Sequence, residues 1–211
     1  MRSVTILLVA MAAHAAVLDR IAVTVGKQVI TESDIIRDLR VAAFLDHKPV
    51  DLSGEQKRKS ADRLVDQHLI LQEASFSRVN LAAPEDAAKM LEQLKASLYP
   101  SEIEYSAGLA QYRITEDDIL NQLLAGLRAM RFTDARFRPE VQLSEDDLHE
   151  YYDKLAAEWR RKDPANVPAF EASRDQVEKL LTDERTAQAL DRWLGNQRTE
   201  TQILYRERVF K

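Results

Sequence analysis

Most of the chain repeats apolar positions at the three- and four-residue spacing of amphipathic helices. The first stripe begins with Ile35, Ile36 and Leu39, and similar stripes follow nearly to the C-terminus. Capping residues and prolines separate the stripes. The pattern predicts helices over residues 33–45, 53–76, 84–98, 101–110, 115–138, 144–159 and 170–196.

Three segments break this pattern and predict strands. Ile21–Val25 and Gln28–Ile30 are short β-branched runs, and Gly26-Lys27 between them suits a type II′ hairpin turn. A lone hairpin is marginal in water, and Thr201–Phe210 is the other clear strand signal. We therefore predict a mainly α fold, a multi-helix core with a small antiparallel sheet formed by the N-terminal β-hairpin and the C-terminal strand.

The N-terminus has the pattern of a secretory signal peptide. Arg2 supplies a positive charge, Val4–Ala13 is apolar, and Ala13-His14-Ala15 fits the small-x-small cleavage rule. A buried first helix and a membrane anchor are the alternatives, but an anchor needs about 20 apolar residues, and charged residues end this run too soon. We expect residues 1–15 to be removed, so that the mature protein begins at Ala16.

Composition narrows the function classes. The chain has 211 residues, 45% hydrophobic and 31% charged, with a net charge of −5 from 30 Lys and Arg against 35 Asp and Glu. An acidic balance argues against nucleic acid as a partner. The chain has no cysteine, so it can form neither a disulfide nor a thiol site.

No catalytic or cofactor motif stands out. His47, His68 and His149 each lie alone, and we interpret His68 as a core-edge histidine bonded to a carbonyl or water rather than a metal ligand. Glycine-rich phosphate loops and a Gly-x-Ser-x-Gly elbow are absent from the sequence. Acidic pairs such as Asp117 and Asp118 fit helix N-termini. We predict no enzyme activity, no metal and no cofactor.

Methionine, leucine, isoleucine and aromatic side chains are concentrated in the middle of the chain. Such side chains adapt to varied partners, although each of them taken singly is more often part of a core. We expect a minority to line an open cleft. The candidate binding residues are Met90, Leu98, Tyr99, Ile103, Tyr105, Leu109, Tyr112, Met130 and Phe132.

Several segments resemble the SurA family of periplasmic chaperones. Leu18–Asp34 is similar to the opening strand, turn and helix start of that family, and Leu64–Ala74 is similar to its second helix. The closing helix and strand resemble the end of the family's chaperone core. The segments that carry the closing and middle parts of the resemblance are Phe170–Leu181, Trp193–Arg198, Ile203–Tyr205, Ile114–Asp118 and Leu143–Asp147.

The resemblance implies an ATP-independent chaperone domain over residues 16–211. It would comprise an N-terminal part at 16–152, a linker at 153–169, and a closing helix and strand at 170–211. The partners it implies are unfolded outer-membrane protein precursors in the periplasm, without stable membrane insertion. Two departures are visible. A parvulin domain of on the order of a hundred residues does not fit between the middle and closing parts, and Gly26-Lys27 replaces the family's usual Asn-Gly turn.

Two other functions remain open at this point. A dedicated adaptor or assembly factor for one envelope protein would show a defined surface patch and tight affinity. A prolyl isomerase with an unrecognised site would turn over a proline peptide, but without the parvulin domain we do not expect that activity.

Overall fold

The computed structural model describes residues 19–77 and 79–211. These residues are 73% helical and form seven α-helices with a three-stranded antiparallel sheet, which confirms the predicted mainly α fold class. The signal peptide expected at 1–15 and the mature start at Ala16 lie outside the described residues.

The elements follow the predicted order. The sheet strands are β1 (Ile21–Val25), β2 (Gln28–Thr31) and β3 (Ile203–Tyr205). The helices are α1 (Glu32–Leu45), α2 (Gly54–Phe76), α3 (Pro84–Leu98), α4 (Glu102–Tyr112), α5 (Glu116–Phe137), α6 (Glu145–Lys162) and α7 (Phe170–Glu200), and short 3-10 turns follow α5 at Arg138–Glu140 and β3 at Glu207–Phe210.

The sheet joins the two ends of the chain, as predicted. Its order is β2-β1-β3, so the N-terminal strand lies in the centre and pairs antiparallel with both neighbours. Gly26 has φ +56° and Lys27 has no positive φ, which is the pattern of a type II′ turn. Thr31 caps α1, because its hydroxyl accepts a hydrogen bond from the backbone N–H of Asp34 and its own N–H donates to the Asp34 carboxylate.

Two boundaries near the C-terminus differ from the prediction. The strand expected over 201–210 ends at Tyr205, because the chain then turns back and buries Val209 against the main core. The helix expected to end at Gly195-Asn196 continues to Glu200. Its last turns are held by buried Leu194 and by the hydrogen bond from Arg198 to Asp66, which outweigh the roughly 1 kcal/mol helix penalty of a glycine.

The linker is also shorter than expected. Residues 153–162 form the last part of α6, and only residues 163–169 are irregular. Across this short connection α6 packs antiparallel on the first half of α7, and their contact buries Leu148, Val177 and Leu181. We call this helical pair the arm.

Two further clusters of buried side chains hold the remainder together. The main core packs the sheet against α2, α5 and α7, around Val23, Val65 and Phe132. The aromatic core lies between α1, α3, α4 and α5, around Phe44 and Tyr105. No helix within the described residues is both long enough and apolar enough to cross a membrane.

Candidate functional site

Three adjoining depressions form a continuous groove beside α2. The hairpin depression lies between Gly26–Gln28 and the second half of α2. The central depression lies between β2, α1, α2 and α5. The methionine depression lies between α2, α3 and α5. Their cavity volumes are about 740, 350 and 420 Å³. Gln67 lines all three, so they are parts of one surface, which we call the groove.

Large apolar side chains stand exposed along the groove. Phe76 is 80% exposed in the hairpin depression, and Val29 is 47% exposed in the central one. Met90 on α3 and Met130 on α5, 38% and 54% exposed, both line the methionine depression. They are the only methionines among the described residues. Thioether side chains are flexible and polarizable, so this surface can adapt to side chains of different shape.

The sequence of α2 explains why the groove is apolar. Val65 and Leu69 turn into the main core, whereas Leu64 and Leu71 lie on a side of the helix that contributes to the groove. On α5, Phe132 faces the main core while Leu123 and Leu127 line the methionine depression. Both helices therefore carry more apolar surface than the core covers, and the excess lies in the groove.

Gly126 keeps the methionine depression open. It lies on α5 between the lining residues Leu123 and Leu127, and a Cβ atom placed on it would meet no atom within 4 Å. Any larger residue at this position would project into the depression. The glycine costs helix stability of about 0.5–1 kcal/mol relative to alanine, so its place here suits an open surface rather than a packed one.

The two arginines of the groove are paired with its aspartates. Arg37 lies 2.9 Å from Asp34 and 3.0 Å from Asp118, and Arg63 lies 2.6 Å from Asp38. Three carboxylates thus meet two guanidinium groups, which leaves a small negative excess in the central part of the groove, while Lys27 of the hairpin depression lies outside these pairs.

His68 belongs to the wall of the groove rather than to a metal site. Its Nδ1 hydrogen-bonds the carbonyl oxygen of Leu64, 3.0 Å away and one turn earlier in α2, which confirms the interpretation of His68 as a core-edge histidine. No group of three or more histidine or carboxylate side chains within the described residues could hold a metal ion.

Of the candidate binding residues, Met90 and Met130 line the groove. Ile103 is 81% exposed on α4, away from the groove, and Leu98 is half-buried at the end of α3. Phe132 is buried in the main core against Phe137. The structure therefore does not bring the candidate set together as one cleft.

The tyrosines among the candidates belong to the aromatic core. The ring of Tyr99 stacks on Phe44 with 5.1 Å between centroids, and Tyr105 and Tyr112 meet the same ring edge-on. Leu109 packs against this cluster. These four side chains hold α4 and the end of α3 against α1, and none of them lines the groove.

A hydrogen bond to a charged carboxylate also holds Tyr105 in place. Its hydroxyl donates to Glu116 over 3.1 Å, and Lys95 donates to the same carboxylate oxygen over 2.7 Å. Burial and the neighbouring carboxylate raise the pKa of Tyr105 far above its ordinary value. The hydrogen bond from Lys95 lowers the pKa of Glu116, so the carboxylate stays ionised. This cluster joins α3, α4 and α5 and has a structural role.

Sequence reasoning missed most of the groove. The lining residues of α2 are absent from the candidate binding residues, and they include Leu64, Gln67, Leu71 and Phe76. Phe76 could have indicated this surface from the sequence. It is a large aromatic residue at the end of α2, and the sequence predicts no packing partner for it nearby.

The chain matches no protein-family model, and no curated protein is significantly similar to it in sequence. The fold and the groove therefore carry the functional argument.

Proposed function

We propose that this protein is an ATP-independent holding chaperone of the periplasm, which binds unfolded outer-membrane protein precursors in the groove. The observation that carries the proposal is the row of exposed apolar side chains along one continuous groove, in which both described methionines line the same depression. The SurA-like opening, second helix and closing segments support the same reading.

Binding in such a groove is passive. A client segment that buries about 300 Å² of apolar surface gains roughly 7 kcal/mol at 25 cal/mol per Å², before the cost of ordering both partners. The net affinity is therefore moderate, and the client exchanges rapidly. The net charge of −5 keeps the loaded complex soluble. Holding delays aggregation of the client and needs no chemical step.

The decisive experiment is light scattering from a denaturant-diluted outer-membrane β-barrel protein, with protein beginning at Ala16 and no ATP. We compare the wild type with Gly126→Trp, which fills the methionine depression. The matched control is Gly195→Trp on α7, where an added Cβ likewise meets no atom within 4 Å. We expect the wild type and Gly195→Trp to suppress scattering at near-stoichiometric ratios and Gly126→Trp to lose most of that suppression.

Other outcomes would reject part or all of this proposal. Wild-type scattering equal to that with an inert acidic protein would reject general holding and favour an adaptor for one envelope protein, to be sought by pull-down. Full suppression by Gly126→Trp would reject the methionine depression as a binding surface. A proline-peptide assay should give no turnover, since no parvulin domain is expected.

A further inference from the structure

The free edge of the sheet forms one wall of the groove. β2 is an edge strand, because the sheet order is β2-β1-β3. Gly26, Lys27 and Gln28 line the hairpin depression, and the next two residues, Val29 and Ile30, line the central depression. The groove therefore runs along β2 from Gln28 to Ile30. The four residues of β2 span about 13 Å at 3.3 Å each, enough for a short strand beside them.

The hydrogen-bonding direction of Val29 follows from the other edge of the sheet. Arg206 donates its N–H to the carbonyl of Ala22, and Gly26 donates its N–H to Gln202. Even-numbered residues of β1 therefore bond towards β3, and Thr24 belongs to this set. Since backbone groups alternate in direction along an antiparallel strand, Thr24 does not bond to its β2 partner Val29.

The N–H and C=O of Val29 therefore point away from β1 and towards the groove. The two-residue turn leads to the same conclusion, because it places Val25 and Gln28 in a hydrogen-bonded pair and the next pair in a non-bonded one. Within the described part of the chain, neither backbone group of Val29 has a hydrogen-bond partner outside the ladder. The sheet edge therefore offers one backbone donor and one backbone acceptor, the N–H and C=O of Val29, to a binding partner.

The opposite wall suits a polypeptide main chain. Gln67 and Gln72 of α2 line the hairpin depression, and each carboxamide offers both a donor and an acceptor, as a peptide group does. The charges of Arg37 and Arg63 are already matched by aspartates of the same groove. An uncharged, extended main chain with apolar side chains complements this surface better than a charged ligand.

We propose that an extended segment of the client adds to β2 as a fourth strand of the sheet. The inference rests on the proposed holding function and specifies how the client is bound. The main chain pairs with the backbone of Val29, and alternate client side chains project onto Leu71 and Phe76 of the groove. Recognition through main-chain hydrogen bonds is independent of client sequence, and segments that already favour β-structure are the best ligands.

The first test removes the outward donor. Val29→Pro deletes an N–H that faces the groove without deleting a ladder bond, the position at which an edge strand tolerates proline. Val29→Thr keeps the donor and the β-branched shape, so it is the matched control. By fluorescence anisotropy with a labelled β-strand peptide of a barrel protein, we expect Val29→Pro to bind at least about tenfold more weakly and Val29→Thr within about twofold of the wild type.

The second test leaves the protein unchanged. Two versions of the peptide carry N-methyl groups on odd or on even residues, and pairing along one edge uses only one of these sets. We expect one version to bind like the parent and the other to lose binding. Equal effects of the two versions would overturn strand addition, and this result decides the question if Val29→Pro does not fold.

The two proposals fail differently. Normal binding by Val29→Pro, with suppression still lost in Gly126→Trp, would overturn strand addition and leave holding in place. A wild type that neither suppresses aggregation nor binds the peptide would reject holding itself.

Discussion

Arg198 in the last helix donates from Nε to Oδ1 of Asp66 in α2 over 2.7 Å, joining residues 132 positions apart. The same guanidinium donates to the backbone carbonyl of Asp62 over 3.0 Å, and the hydroxyl of Tyr205 donates to the Asp62 carboxylate. The bond to Asp66 raises the pKa of Arg198 above its ordinary value. In a chain without cysteine, this network ties α7 and β3 to α2.

We expect Asp66→Ala to lower the free energy of unfolding by about 1–2 kcal/mol, because it leaves Nε of the half-buried Arg198 guanidinium without its acceptor. Urea denaturation measures the change. Glu150→Ala is the matched control, since it breaks an exposed ion pair with Lys154 on α6, and such pairs contribute little. Equal losses in the two variants would contradict a special role for Arg198.

The C-terminal turn passes directly over Gly54 at the start of α2. A Cβ at Gly54 would lie 1.9 Å from the carbonyl oxygen of Phe210, so Gly54→Ala must displace the tail. We expect a loss of about 1–3 kcal/mol, the usual cost of overpacking. Gly195→Ala, where there is open space, should instead stabilise by about 0.5–1 kcal/mol.

A second comparison isolates the tail contact. In a chain that ends at Val209, Gly54→Ala has no Phe210 carbonyl to displace, and its penalty should disappear. A penalty of the same size in both backgrounds would place the effect in α2 itself.

Stability should depend on pH through Glu116. Its hydrogen bond from Lys95 lowers the folded-state pKa below the ordinary value of 4.5. A depressed carboxyl pKa contributes stability that is complete above the unfolded-state value and is lost as the pH falls through the folded-state value. The difference in unfolding free energy between wild type and Glu116→Gln should therefore be largest near neutral pH and shrink below pH 4.5. Urea titrations at several pH values measure it, and a pH-independent difference would contradict the mechanism.

The arm should open more readily than the rest of the molecule. α6 packs principally on α7, whereas β1 lies between two strands over the main core. In native-state hydrogen exchange we expect amides of α6 to open with a free energy below the global value. Leu148→Ala, at a position 4% exposed, should lower α6 protection by about 2–4 kcal/mol and affect β1 less. Uniform loss over α6 and β1 would indicate a single cooperative unit.

The sequence predicts the fold well because its local signals agree with its tertiary contacts. Thr115 and Ser144 each cap the helix predicted to begin there, and the β-branched runs near both ends meet in one sheet. The errors arise where tertiary contacts override a local signal. Gly195 suggests a helix end, but packing of Leu194 carries α7 five residues further, to Glu200.

The groove was harder to predict because periodicity does not distinguish buried apolar surface from exposed apolar surface. Tyr99, Tyr105 and Tyr112 look available on short helices, yet they surround Phe44. Leu71 looks like core, yet it lines an open depression. Whether a side chain is buried depends on which other helix packs against it, and local sequence periodicity does not contain that information.

The central position of β1 has a consequence for the order in which the molecule can form. β1 meets β2 across a two-residue turn, whereas its second neighbour, β3, follows only after all seven described helices. Until β3 docks, β1 has one open side, and until the turn at Glu207–Phe210 docks, the start of α2 lacks its cover over Gly54. We therefore expect the hairpin to form early in folding and the third strand to join it late, because that contact closes the longest loop in the described chain.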